Sequence, residues 1–348
     1  MISSEFKKIV RNSFILLCSI LLTACAGIGE KRADITEQKP TVQRPAPSIE
    51  APYDSFKIVK AGRNDTYTTL ARKYLNDPLL ASTIKAYNRG RPVIPGQKIV
   101  IPFGQFDRGG LKPEGYQTVP VLLYHKFSKS RSDKMTINAD NFENQMRYLA
   151  ENGYNVISID KFVNFLDFSI QIPEKSVVIT IDDGWRSFYD IGFPILMKYG
   201  FPATLFVYTD FIAGRKSVSW DQAGEMADQG INIECHTKKH RNMAKLKEGE
   251  TLNQYLKDII KEISYSKELI FKKLAREPQY LAYPYGATNN IVVEVAKQHG
   301  FRAAFTVHRG SNPFFVNNYR INRSVIYGNY SLSAFKKNLN VFHKRRLK

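Results

Sequence analysis

Cysteine is nearly absent: three residues in 348 cannot build a disulfide framework or an all-thiolate zinc site. Acidic residues fall short of basic ones, 32 Asp+Glu against 51 Lys+Arg, leaving a formal net charge of +19. That deficit points to anionic surroundings such as nucleic acid, a membrane surface or an acidic wall polymer. The N-terminal apolar run, residues 14–22, is far shorter than the ~20 residues a membrane-spanning helix needs. Histidine is scarce at six residues, and no internal repeat is visible. Against these shortages the chain is 43% apolar, with 19 Tyr and 22 Phe. That is too apolar for a disordered chain and long enough for a large core or two domains.

Lys7, Lys8 and Arg11 precede the short apolar run, and small residues follow it. This order describes a secretory signal over residues 1–24. Leu22-Thr23-Ala24-Cys25 resembles the lipobox of bacterial lipoproteins, which implies a lipid on Cys25 and membrane attachment; a plain cleaved signal is the competing reading. An Ala after Cys25 is compatible with the outer membrane. The resemblance thus implies an exported lipoprotein of the bacterial cell envelope, at the outer membrane or periplasmic side. Residues 25–54 are polar, carry Pro40, Pro45, Pro47 and Pro52, and read as a flexible tether. With Cys25 lipidated no disulfide is expected, and Cys235 reads as a small buried residue.

Residues 55–103 show a strand at 56–59 and a turn at 62–65. Two amphipathic runs follow, around Leu70, Ala71, Tyr74 and Leu75, then around Leu79, Leu80, Ile84 and Tyr87. A strand ending Val100-Ile101-Pro102 closes the segment. A βααβ order this short builds only a marginal core. The segment resembles a LysM module in its Leu-Ala-x-x-Tyr helix, its Tyr87-Asn88 pair and its Pro95-Gly96-Gln97 ending. That implies binding to an N-acetylglucosamine-containing glycan; a spacer without ligand is the alternative. Residues 104–117 read as a linker.

From 118 to 340, strand-like runs at 119–124, 177–181, 203–208, 231–235, 279–282 and 303–307 alternate with helical patterns. The helices are expected at 142–151, 187–199, 220–229, 252–274 and 291–299. This alternation argues for an α/β fold with a parallel sheet, barrel or doubly wound. Functional residues of such folds gather past the carboxyl ends of strands. There the chain has His125, Asp182-Asp183-Gly184, His236-Thr237-Lys238-Lys239-His240, Tyr283-Pro284-Tyr285-Gly286 and His308. Residues 341–348 read as a basic, solvated tail.

Taken singly, each group has an ordinary explanation: Asp-Asp-Gly caps a helix, Tyr-Pro-Tyr-Gly makes a turn, and a histidine fills a core. Random scatter of six histidines gives roughly 0.1 pairs four residues apart, so the pair at 236 and 240 is unusual. On one helical turn both imidazoles would share a face, unless Lys238 and Lys239 point inward. Two imidazoles and one carboxylate leave positions open for water and substrate, as in a catalytic zinc site. Of two adjacent carboxylates, one binds the metal and the other takes a proton from water.

At these residues residues 119–339 resemble the NodB-type polysaccharide deacetylases, carbohydrate esterase family four. The resemblance implies a distorted (β/α) barrel and a divalent metal ion, zinc first, with cobalt, nickel or manganese as alternatives. Thr180-Ile181-Asp182-Asp183-Gly184 is similar to the family's first motif, making Asp182 the base and Asp183 a metal ligand. His236 and His240 match the second motif as the other ligands. Tyr283-Pro284-Tyr285 matches the third, whose tyrosine N–H holds the oxyanion. That motif normally opens with an Arg that orients the base, but Ala282 stands there; Arg309, Arg320 and Arg323 are the candidate substitutes. The general acid is His125 or His308. The Leu-Leu-Tyr-His125 opening favours His125 by resemblance to the poly-N-acetylglucosamine subgroup, in which Trp220-Asp221 would be a further, groove-lining motif; a core Trp with a capping Asp is the competing reading.

The expected enzyme is a metal-dependent hydrolase that removes N-acetyl groups from an N-acetylglucosamine polymer, of peptidoglycan or poly-N-acetylglucosamine type. The alternatives are an O-acetyl polysaccharide esterase and a non-catalytic wall-binding lipoprotein. Export and the scatter of basic residues disfavour a nucleic-acid partner. Neither glycan, metal nor oligomeric state is fixed by the residues.

Overall fold

The computed structural model describes residues 56–103, 110–112 and 115–345. The expected signal, the tether, most of the linker and the last three residues lie outside them.

The first segment pairs β1 (Phe56–Lys60) antiparallel with β2 (Lys98–Pro102). Between them run α1 (Tyr67–Leu75) and α2 (Ala81–Tyr87). Thr66 opens α1 through a reciprocal capping box with Thr69. Val59, Leu70, Ala71, Ile84, Ile99 and Ile101 form the segment's own small core. Asn88 ties α2 to β2: its amide donates to the carbonyls of Ile84 and Val100 and accepts from the Val100 N–H.

Six parallel strands then lie side by side in chain order: β3 (Gly115–Tyr124), β4 (Ser176–Asp183), β5 (Ala203–Val207), β6 (Ile231–Cys235), β7 (Tyr280–Ala282) and β8 (Ala303–Phe305). The connections carry α3 (Ala139–Glu151), α4 (Ile159–Leu166), α5 (Phe193–Lys198), α6 (Trp220–Asp228), α7 (Leu252–Leu274) and α8 (Asn290–Gln298). The sheet curls into the expected distorted barrel. Residues 321–325 bond to both of its edges: Ile321 bridges Phe305, and Ser324 and Val325 pair with Leu122 and Leu123.

Alternation along the strands sorts the two faces. Val177, Ile179 and Ile181 of β4 pack outward against the helices, whereas Val178 joins an inner cluster with Phe206, Tyr280 and Phe305. The same alternation brings Asp182 to the inner face. Phe162, Val163 and Phe165 of α4, a helix with no counterpart among the predicted ones, pack into that inner cluster.

Three expectations need correction. The single helix expected over 187–199 is a wide helical turn at Phe188–Gly192 followed by α5; Pro194, which lacks an N–H, sits at the α5 start. The expected tail begins with a strand, Phe342–Lys344, antiparallel to Gly115–Gln117. That pairing also starts β3 inside the expected linker. Neither stretch has an apolar pattern of its own, because each is ordered by a partner distant in sequence.

Candidate metal centre

Asp182 and Asp183 end β4. Alternation buries Asp182 inward, at 2% exposure, and would send Asp183 outward with Ile181. Asp183 instead takes φ +80°, which turns its carboxylate toward the loop after β6. Gly184 follows at φ +92°, where an added Cβ would lie 2.5 Å from Ile212, so glycine is required.

His236 is the first residue past β6. Its Nδ1–H donates to the Ala282 carbonyl at 2.7 Å, which leaves the Nε2 lone pair free. Burial pushes the His236 pKa down, against the pull of Asp182 and Asp183, and so favours the neutral, ligand-competent ring. Its Nε2 lies 3.7 Å from Asp183 Oδ1, and His240 Nε2 lies 3.5 Å from the same oxygen. Ligand atoms of Asp183, His236 and His240 all fall within 4.8 Å of one another. Two imidazoles, that of His236 in a fixed tautomer, and one carboxylate are a donor set that fits a divalent cation with open positions.

The two imidazoles do not converge on a helical turn. Thr237 and His240 take left-handed φ values of +69° and +58°, and the N–H groups of Thr209 and Asp210 bond to the carbonyls of Thr237 and Lys238. A reversing loop brings the rings to 4.8 Å between centroids. Lys238 pairs with Asp210 and lies over the Tyr265 ring, while Lys239 is exposed. Neither lysine opposes a cation in the triad.

Asp182 is gripped by Arg323, whose two terminal nitrogens donate to its two oxygens at 2.6 and 2.7 Å. Arg323 is fully buried, and its Nε donates to the Thr306 carbonyl. Burial alone would raise the Asp182 pKa, but the guanidinium overrides it and holds the group at about 2. The carboxylate therefore stays ionised inside the barrel. Arg309 turns instead to Asn338 and Tyr330, and Arg320 to Asn290. Arg323 thus occupies the position left open by Ala282.

His125, directly after β3, joins this group: burial lowers its pKa, opposed by Asp182 and Asp183. His308 is exposed on the loop after β8, and its backbone N–H bonds to Thr306 Oγ1. Tyr285 takes φ +59°, is 64% exposed and sets its ring edge-on to His240 at 4.7 Å. Left-handed backbone at Asp183, Thr237, His240 and Tyr285 is uncommon for non-glycine residues and clusters here around one point. Trp220 is half-buried against the core, and Asp221 is exposed in the first turn of α6. Sequence reasoning passed over Trp185, whose Nε1–H donates to Asp183 Oδ2 at 2.8 Å; its place two residues after Asp183 was the only signal.

Comparison with known proteins follows the same outline. Residues 170–304 match the family model described as Polysaccharide deacetylase. That span holds Asp182, Asp183, His236, His240 and Tyr285 but neither His125 nor Arg323. YxkH of Bacillus subtilis (strain 168), whose name marks it as a candidate polysaccharide deacetylase, is 29% identical over 225 residues, 65% of this chain and 77% of that one. The poly-beta-1,6-N-acetyl-D-glucosamine N-deacetylase of Staphylococcus epidermidis is 28% identical over 191 residues, 53% of this chain and 66% of that one. Among solved structures, the Streptococcus pyogenes deacetylase PplD in complex with acetate superposes with a TM-score of 0.58 at 23% identity, covering 64% of this chain and 98% of that one. IcaB from Ammonifex degensii gives 0.57 at 23% identity, covering 65% and 99%. The structures share the fold, and the family match over residues 170–304 together with the curated relatives supports a deacetylase enzyme.

Proposed function

We propose that the protein is a metal-dependent N-deacetylase acting on an N-acetylglucosamine polymer, with poly-N-acetylglucosamine favoured over peptidoglycan. The observation that carries this reading is the convergence of Asp183, His236 and His240 beside a second carboxylate, Asp182, that Arg323 keeps ionised. The staphylococcal relative's named substrate favours poly-N-acetylglucosamine.

Asp183, His236 and His240 would hold the divalent cation, zinc first. Such a cation supplies a Lewis acid for the acetamide carbonyl and acidifies water. Asp182, aimed by the Arg323 fork, takes the proton of the attacking water. The Tyr285 N–H donates to the oxygen where negative charge develops. His125, half-buried and within reach of both aspartates' fields, hands a proton to the departing amine. Acetate and a free glucosamine amine result.

The remaining parts of the chain fit this reading. A lipid on Cys25 would hold the enzyme at the bacterial envelope, the segment 25–54 would give it reach, and the LysM-like βααβ segment would keep it on glycan.

The test is metal analysis of the purified protein coupled to acetate release from poly-N-acetylglucosamine, peptidoglycan and acetylated xylan. Release from the first with one bound metal per chain supports the reading. Release from xylan alone makes the protein an O-acetyl esterase, and no release from any polymer leaves a glycan-binding lipoprotein. Asp182→Asn should abolish release while leaving the metal bound.

A further inference from the structure

Asp183 uses its two oxygens differently. Oδ1 faces the Nε2 atoms of His240 and His236 at 3.5 and 3.7 Å. Oδ2 accepts the indole N–H of Trp185 at 2.8 Å. Asp183 sits on left-handed backbone at φ +80°, so its side chain gets no orientation from regular strand geometry. The indole bond is what selects the oxygen presented to the imidazoles.

Trp185 is itself held on several sides. It forms an antiparallel bridge with Ser217, and the following N–H, that of Arg186, bonds to the Lys216 carbonyl. Its ring packs edge-on against Phe211 at 4.7 Å between centroids. The Lys126 ammonium lies over the ring, 3.9 Å from its centroid. A cation over the π face draws electron density from the indole and strengthens its N–H as a donor. Lys126 directly follows His125, so the segment that brings the histidine to the centre also brings this clamp.

From this geometry we infer that Trp185 is a positioning residue for the metal site: it locks Asp183 into one-oxygen ligation, and Lys126 holds the indole in place. The inference rests on the reading of Asp183, His236 and His240 as metal ligands. Groups that orient a ligand typically carry about 10- to 100-fold in metal affinity. Phenylalanine at 185 keeps the ring that faces Phe211 and Lys126 and deletes only the N–H.

The chain has two tryptophans, so in a Trp220→Phe background all indole emission comes from Trp185. Zinc titrated into this metal-stripped protein should change that emission and saturate at one ion per chain. Adding Trp185→Phe should weaken zinc binding about tenfold or more by chelator competition, with an unchanged far-ultraviolet circular dichroism spectrum. Equal zinc affinity in the Trp185→Phe protein overturns the inference. So does indole emission that ignores saturating zinc, a measurement that needs no change at 185. Failure of the underlying metal reading has another signature: Asp183→Ala would then bind zinc as tightly as the parent.

Discussion

Arg323 and Asp182, 141 residues apart in the chain, meet in a fully buried two-pronged ion pair. The arginine stands on the segment that bonds to both edges of the sheet. Closing the barrel and ionising the base are therefore one structural event. At position 282, where the resembled motif opens with arginine, Ala282 packs in the inner cluster while its carbonyl fixes the tautomer of His236.

Replacing Arg323 should separate aim from charge. Lysine keeps a cation but has no planar fork for two parallel bonds. Arg323→Lys is expected to lower kcat roughly 100-fold, the cost of a small misplacement at a reacting group. Arg323→Met leaves a buried carboxylate unpaired and should destabilise the fold by about 3–5 kcal/mol. Thermal unfolding and acetate-release kinetics of the two variants read these effects. A fully active Arg323→Lys enzyme would show that charge alone suffices.

The two candidate acids are separated by place. His125 shares the fields of Asp182, Asp183 and Arg323, whereas His308 is exposed on the loop after β8. His125→Gln should cost about 10²- to 10⁴-fold in kcat, the range of a lost general acid. His308→Gln should leave kcat near that of the parent. Steady-state kinetics on a poly-N-acetylglucosamine oligomer distinguish them, and a reversal of the two results would move the acid to His308.

Much of the centre was legible because its chemistry follows strand ends. The apolar runs before His125, Asp182 and His236 marked the strands, and polar residues directly after them marked the site. Three features were not legible, for related reasons. The route of 236–240 depends on left-handed backbone at Thr237 and His240, which the spacing of two histidines does not encode. The partner of Asp182 depends on which of three late arginines the closing segment turns inward. The β3 start and the strand Phe342–Lys344 order each other across the length of the domain, so neither shows a local pattern. Tertiary partners decided all three.

Removing the metal should act on stability as well as turnover, because a ligand bound only by the folded chain stabilises it by mass action. With free zinc at 100 times its dissociation constant the stabilisation is about 2.7 kcal/mol. Chelation is therefore expected to abolish acetate release and lower Tm, with both restored by added zinc. Asp183→Ala should unfold at the chelated parent's Tm whether or not zinc is present. A zinc-dependent Tm shift in Asp183→Ala would place the stabilising ion elsewhere on the protein.

Glu250 provides a pH prediction away from the centre. Arg241, the residue after His240, donates to both Glu250 oxygens at 2.9 and 3.1 Å, and to Asp258 and the Lys245 carbonyl. The Lys247 N–H adds a bond of 2.8 Å to Glu250. The Arg241 bonds, more than any other contact, hold the Glu250 carboxyl at about 2, below its ordinary 4.5. A carboxylate whose pKa is lower folded than unfolded contributes stability that is complete above the unfolded value and is lost as pH falls toward the folded one. The parent should therefore melt above Glu250→Gln at pH 7, and the gap should narrow between pH 4.5 and about 2. Melting curves of both proteins across that window read the difference directly. A gap that stays constant down to the lowest pH would mean that the loop after His240 is held by packing and backbone bonds, with the Arg241–Glu250 charges contributing nothing to its stability.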